Sequence, residues 1–94
     1  MELILTNHAF ERWNERVASK GNLTSNKNRI EKLLTNGRVL KISSRSCKKG
    51  KQGYRIVLWI SFPLGLKIKI CIITDISKKV VVTLWPLTDV INQY

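Results

Sequence analysis

The chain has 94 residues, 44% of them hydrophobic, with two Cys and one His, which suits a single domain over residues 1–94 with one modest core. No run approaches the roughly 18 uninterrupted apolar residues of a membrane span, and Met1-Glu2-Leu3 does not open a signal peptide. A cytoplasmic protein with no membrane role is therefore expected, or a domain of something longer. The 17 Lys and Arg against 6 Asp and Glu give a net charge of +11, which implies an anionic partner, with nucleic acid ahead of an acidic protein or an anionic surface.

Leu3, Ile4 and Leu5 read as a short opening strand or a first contact with the core, and Thr6 or Asn7 offers an N-cap to a helix. That first helix is expected from about Asn7 to Ser19. At about 100° per residue Phe10, Trp13 and Val17 share one arc, while His8, Arg12, Glu15, Arg16 and Ser19 lie opposite. Lys20-Gly21-Asn22 reads as a turn. Thr24 or Ser25 can cap a second helix whose stripe is Ile30, Leu33 and Leu34, and Gly37 stops it.

From Arg38 the period changes, and Val39, Leu40 and Ile42 mark a strand. Tyr54 to Phe62 is rich in β-branched and aromatic residues, and Phe62-Pro63-Leu64-Gly65 suits a tight hairpin. On the returning strand Lys67, Lys69 and Cys71 alternate with Ile68, Ile70 and Ile72, so one face is buried and the other begins basic. Asp75 to Lys78 makes another turn, and Lys79 to Trp85 forms a last strand closed by Pro86. There Val80, Val82 and Leu84 alternate with Val81, Thr83 and Trp85. The expected fold is α+β: two N-terminal helices packed on a four-stranded antiparallel sheet.

Charge is unevenly placed: residues 1–37 carry six cations against four acids, and residues 38–79 carry eleven cations with Asp75 alone opposing them. The stretch from Arg45 to Gly53 reads as a flexible basic loop. It is either a solvated hairpin tip or a loop that follows a phosphate backbone, with Arg45, Lys48, Lys49 and Lys51 as the contacting cations. Tyr54, Trp59 and Trp85 offer surfaces on which a splayed base can stack, or else belong to the core. Cys47 and Cys71 are too few for a disulfide scaffold and, far apart in sequence with no histidine nearby, do not suit a zinc site, and Glu2, Glu11, Glu15, Glu31, Asp75 and Asp89 are too scattered for a two-metal nuclease. No metal and no other cofactor is expected.

His8, Arg12 and Arg16, at i, i+4 and i+8, form a stripe on the first helix. Cleaving RNA needs a group of near-neutral pKa to take the 2′-hydroxyl proton and cations to stabilise the charge that builds on phosphorus oxygens. The stripe provides both, close to a helix N-terminus that favours anions. The same residues equally suit a surface arrangement in which the arginines pair with Glu11 and Glu15. Thr83 could present a hydroxyl to a phosphate oxygen.

The run Leu5-Thr6-Asn7-His8-Ala9-Phe10-Glu11-Arg12-Trp13-Asn14-Glu15-Arg16 resembles the opening of a family of small phage and toxin-system domains. Their pattern is T-x-H-A-x-x-R-x-x-x-R, a second helix ending in Gly, and a terminal strand of the type V-V-T-hydrophobic, which Val81-Val82-Thr83-Leu84-Trp85 fits. That family is similar in fold to the barnase, EndoU and RelE-like metal-independent ribonuclease toxins. The resemblance implies His8 as acid or base, Arg12 and Arg16 as phosphate binders, and Thr83 as a site hydroxyl; Trp85 stands where such families vary.

The preferred expectation is a metal-independent endoribonuclease of the toxin type, which cleaves RNA to a 2′,3′-cyclic phosphate and is neutralised by an acidic antitoxin or immunity protein. One alternative is a nucleic-acid-binding protein without catalysis, in which Lys27, Asn28, Arg29 and Lys32 join the basic loop on a duplex. Another is a phage-type interaction protein whose positive face inhibits an acidic host target.

Overall fold

The computed structural model describes residues 2–18, 26–46, 52–62, 65–88 and 91–92. Its elements in chain order are β1 (Ile4–Leu5), α1 (Asn7–Arg16), α2 (Lys27–Thr35), β2 (Arg38–Ser46), β3 (Gln52–Ser61), β4 (Leu66–Asp75), β5 (Val80–Pro86) and β6 (Ile91–Asn92). The class is α+β, as expected, but the arrangement is not two leading helices on four antiparallel strands. A strand precedes both helices, and the sheet is mixed. Its order is β1-β5-β4-β3-β2, with β6 pairing the start of β4. The β2-β3-β4-β5 meander is antiparallel, whereas β1 runs parallel to β5 through Ile4↔Val80 and Leu5↔Val81.

The short strand β1 holds its place because its amides are satisfied on both sides. Ile4 donates to the carbonyl of Lys79 (2.7 Å), just before β5, and Thr6 to that of Val81 (3.1 Å) on β5. Leu3 and Leu5 donate the other way, to Thr35 Oγ1 (3.0 Å) and Glu31 Oε2 (2.8 Å) on α2. Side chains of a helix thus complete what a neighbouring strand would otherwise supply, and that edge of the sheet is closed.

Thr6, the expected N-cap, accepts from the Ala9 amide at 3.1 Å. Its hydroxyl also lies 3.0 Å from the Val81 carbonyl and 3.1 Å from that of Val82, so the cap is tied to β5. α1 ends at Arg16, three residues short of Ser19, and Val17 forms its C-cap with an amide bonded to Trp13. α2 is capped by Asn26, whose side chain accepts from the Arg29 amide at 3.2 Å; Thr24, Ser25 and the Lys20-Gly21-Asn22 turn lie outside the described residues. The stop is at the expected place, where the Gly37 amide reaches the Leu34 carbonyl at 3.1 Å.

Both helices cover one face of the sheet. Ala9 and Trp13 of α1, its C-cap Val17, and Ile30 and Leu34 of α2 pack with Ile56, Leu58 and Ile60 of β3 and Ile68, Ile70 and Ile72 of β4, all fully buried. Trp13, the largest of these side chains, meets Phe62 with ring centroids 6.2 Å apart. The strict alternation expected along β5 fails at Val82. Thr74 pairs with Val81 but Ile73 with Thr83, so Val82 is an extra residue in the ladder. A bulge resets the parity of everything after it. Val81 and Leu84 therefore both reach the core, and Thr83 and Trp85 share the opposite face.

The β4–β5 hairpin is pinned by Asp75. Its carboxylate accepts from the Ser77 hydroxyl (2.7 Å) and from the amides of Lys79 (3.3 Å) and Val80 (3.2 Å), while Lys78 takes a positive φ of 62°. Opposite it stands Gly53, paired with Asp75. A Cβ there would collide with the Thr74 backbone oxygen, so the two strands approach as closely as they do only because the residue is glycine.

Candidate nucleic-acid interface

The face of the sheet turned away from the helices is organised as rows running across the strands, because paired residues point to the same side. One row is Lys41, Val57, Cys71 and Trp85; the next is Ser43, Arg55, Ile73 and Thr83. On the other side of the first row lie Arg38, Trp59 and Lys69, and beyond them Ser61 and Lys67. Five cations and two indoles therefore share one face. Among the strand residues described, Asp75 is the one carboxylate, and it is turned into the hairpin at the far end of β4.

The cations and rings are interleaved. The Arg55 guanidinium lies 5.9 Å from the Trp85 ring centroid, and Lys69 Nζ lies 5.9 Å from that of Trp59. Such contacts hold long side chains over a flat surface without neutralising them. Between the two ends of the central row, Lys41, Ser43, Arg55, Val57, Cys71, Trp85 and Leu87 line an open cleft of about 270 Å³. Its floor is apolar, from Val57 and the buried thiol of Cys71, and its rim is cationic on one side and aromatic on the other. That combination accepts a planar base against an indole and a phosphate against ammonium or guanidinium groups. A larger hollow of about 560 Å³ lies between β1 and α2, but its charged lining is two acids, Glu2 and Glu31, against Lys32 alone, and no aromatic ring faces it.

The expected site residues fall in different places. Trp85 lies on the open face. Tyr54 does not: it packs half-buried against the core on the helix side, with Lys78 Nζ 4.5 Å from its ring centroid. Arg45 pairs with Gly53 at the end of β2, and Lys48, Lys49 and Lys51 lie outside the described residues. On α1, His8 and Arg16 are exposed, and Arg12 is held by Glu15, with Nη1 and Oε2 2.6 Å apart. Thr83 is half-buried on the open face opposite Ile73. The hydrogen bonds of Thr6 bring the first turn of α1, which carries His8, against Val81 and Val82, but Thr83 points to the face of the sheet away from α1, so the structure does not bring it together with His8 and Arg12.

The residues that sequence reasoning passed over are Arg38, Lys41, Arg55, Lys67 and Lys69 as one set with Trp59 and Trp85. A readable signal existed in β3 and β4, where Arg55, Val57 and Trp59 alternate with Ile56, Leu58 and Ile60, and Lys67 and Lys69 with Ile68 and Ile70. Among the described residues no helix is long and apolar enough to cross a membrane. The chain matches no protein family, no curated protein and no solved structure.

Proposed function

We propose that the protein binds single-stranded RNA across the open face of its sheet, with bases stacked on Trp85 and Trp59 and phosphates held by Lys41, Arg55, Lys69 and their neighbours. The observation that carries this reading is the pairing of five cations with two indoles on one face, where Asp75, the one carboxylate among the described strand residues, is bonded within its own hairpin. Stacking is tolerant of sequence, and cation contacts make the affinity dependent on salt. The test is titration of a fluorescent oligouridylate at several salt concentrations. Affinity that falls steeply with salt supports the proposal, and affinity that stays flat refutes it.

The finer reading is a metal-independent endoribonuclease with a RelE-like toxin fold, acting in the cytoplasm. In its favour, His8 is exposed in the first turn of α1 and the cap of that helix is tied to β5, although Thr83 points to the opposite face of the sheet and takes no part in that site. His8 would take the proton from a 2′-hydroxyl, whose oxygen then attacks phosphorus. The 5′-oxygen leaves with a proton from water, and a 2′,3′-cyclic phosphate remains. Arg12 would stabilise the phosphorane charge after exchanging its contact with Glu15 for one with phosphate. Incubation of total RNA in EDTA separates this from binding alone. Cleavage that falls by roughly 10²-fold in His8→Ala, with RNA affinity retained, is the expected result; unchanged cleavage in that variant, or none in the native chain, removes the catalytic assignment.

A further inference from the structure

We propose that the outer edge of β2 is a docking strip for an extended, acidic segment of a partner protein, which adds to the sheet as a further strand. The two ends of the sheet differ. At β1 the outward amides are taken by Thr35 and Glu31 of α2. At the other end β2, nine residues long, is last in the strand order, and among the described residues nothing pairs with its outer side. An edge of that length offers a row of backbone donors and acceptors to any extended chain.

The side chains state what kind of chain fits. Val39, Leu40 and Ile42 are 42%, 45% and 44% exposed, which makes β2 the site of three of the large exposed hydrophobic residues. Val39 and Ile42 pair with the core residues Leu58 and Ile56, so they point to the helix side, yet α1 and α2 pack chiefly on β5, β1 and β3 and leave them bare. Arg38 and Lys41 point to the opposite side, and β2 has no acid. A strand laid beside β2 therefore meets apolar groups on one side and cations on the other. The matching segment alternates apolar and acidic residues.

Charge also decides against a second copy. Two β2 edges pairing with each other would bring Arg38 and Lys41 of each chain together, in a molecule of net charge +11, and like charges on adjacent strands repel. Cations on an exposed edge are a known guard against self-association. An acidic strand turns that guard into an attraction. Because Lys41 also lines the open cleft, a docked segment would cover part of the cationic rim.

The proposal does not depend on the RNA reading and is tested without nucleic acid. The probe is a fluorescent ten-residue peptide of alternating Glu and Val, compared with one of the same composition arranged as a Glu block and a Val block. The alternating peptide is expected to bind the full chain at least tenfold more tightly and to slow amide exchange in residues 39–44. Val39→Asn with Ile42→Asn, which leaves every charge in place, should lose at least tenfold of that affinity; if the pair unfolds the chain, Ile42→Asn alone carries the comparison. Equal affinity for the two peptides, or an undiminished affinity in the variants, overturns the proposal. So does protection of β2 amides that grows with protein concentration alone, because the occupant is then a second copy.

Discussion

Replacing Trp85 with Leu removes an aromatic surface from the open face while keeping an apolar side chain over Cys71. Stacking a base on an aromatic ring contributes about 1 to 3 kcal/mol. In the free protein that ring already carries the Arg55 guanidinium at 5.9 Å. An exposed cation–π contact is worth about 0.5 to 1 kcal/mol, and a base that takes its place must first displace it. The net loss in Trp85→Leu is therefore at most about 2.5 kcal/mol, centred near 1 kcal/mol, or roughly 5-fold and up to about 70-fold in Kd for an oligouridylate. The salt dependence provides an independent reading from the same titration. Each phosphate neutralised on a single strand contributes about 0.7 to the slope of log K against log salt. Engagement of Arg38, Lys41, Arg55, Lys67 and Lys69 together implies a slope near −3.5. Trp85→Leu should leave that slope unchanged, because it removes no cation, whereas Lys69→Gln should reduce its magnitude by about 0.7. Fluorescence anisotropy from low to moderate salt measures both. If Trp85→Leu binds as tightly as the native chain and Lys69→Gln keeps the full slope, RNA does not lie on this face.

Gly53→Ala should destabilise the fold by about 1 to 3 kcal/mol in urea unfolding, since the methyl meets the Thr74 backbone oxygen rather than a side chain that can move aside. Glu31→Ala should cost about 1 to 3 kcal/mol by the same assay, because it strands the Leu5 amide at an edge where no strand replaces the carboxylate. Asp75 is held below the ordinary carboxylate value of 3.8 chiefly by the Ser77 hydroxyl; desolvation, next in size, opposes this, and the amides of Val80 and Lys79 add to the lowering. Its contribution to stability is present above that ordinary value and disappears as pH falls through the lowered one, so the stability gap between native chain and Asp75→Asn should narrow below about pH 4. A gap that widens with acid would contradict the role given to this hairpin.

Elements that arise from local patterning were legible in the sequence. The apolar arc of Trp13 and Val17, the stripe of Ile30 and Leu34 with its Gly37 stop, and the alternation of Lys67 and Lys69 with Ile68 and Ile70 all appear where their periods place them. What escaped depends on distant partners. Ile4 and Leu5 are too few to reveal a period, and their parallel partner lies at Val80 and Val81. The Val82 bulge leaves no mark in a run of valines, so Val81 reads as sharing the face of Thr83 when it belongs with Leu84. The candidate interface shared this fate. Its cations and indoles were each visible, but assembling them into one face required the register of four strands. The hydroxyl of Thr83, by contrast, was placed on the face of Trp85 by sequence parity alone.

The parallel pairing of β1 with β5 imposes an order of events on the newly made chain. Thr6 and Val81, which meet through that contact, are 75 residues apart. At a synthesis rate of about 5 to 20 residues per second, the opening strand waits roughly 4 to 15 s before its partner exists. During that interval Leu3, Leu5 and the face of α1 bearing Trp13 have no β5 to cover them, and the backbone of β1 is open on the side that β5 later takes. β1 is thus made well before its partner and is among the last elements to be secured. The closing hairpin at Asp75, by delivering β5 against β4, is what ends the exposure.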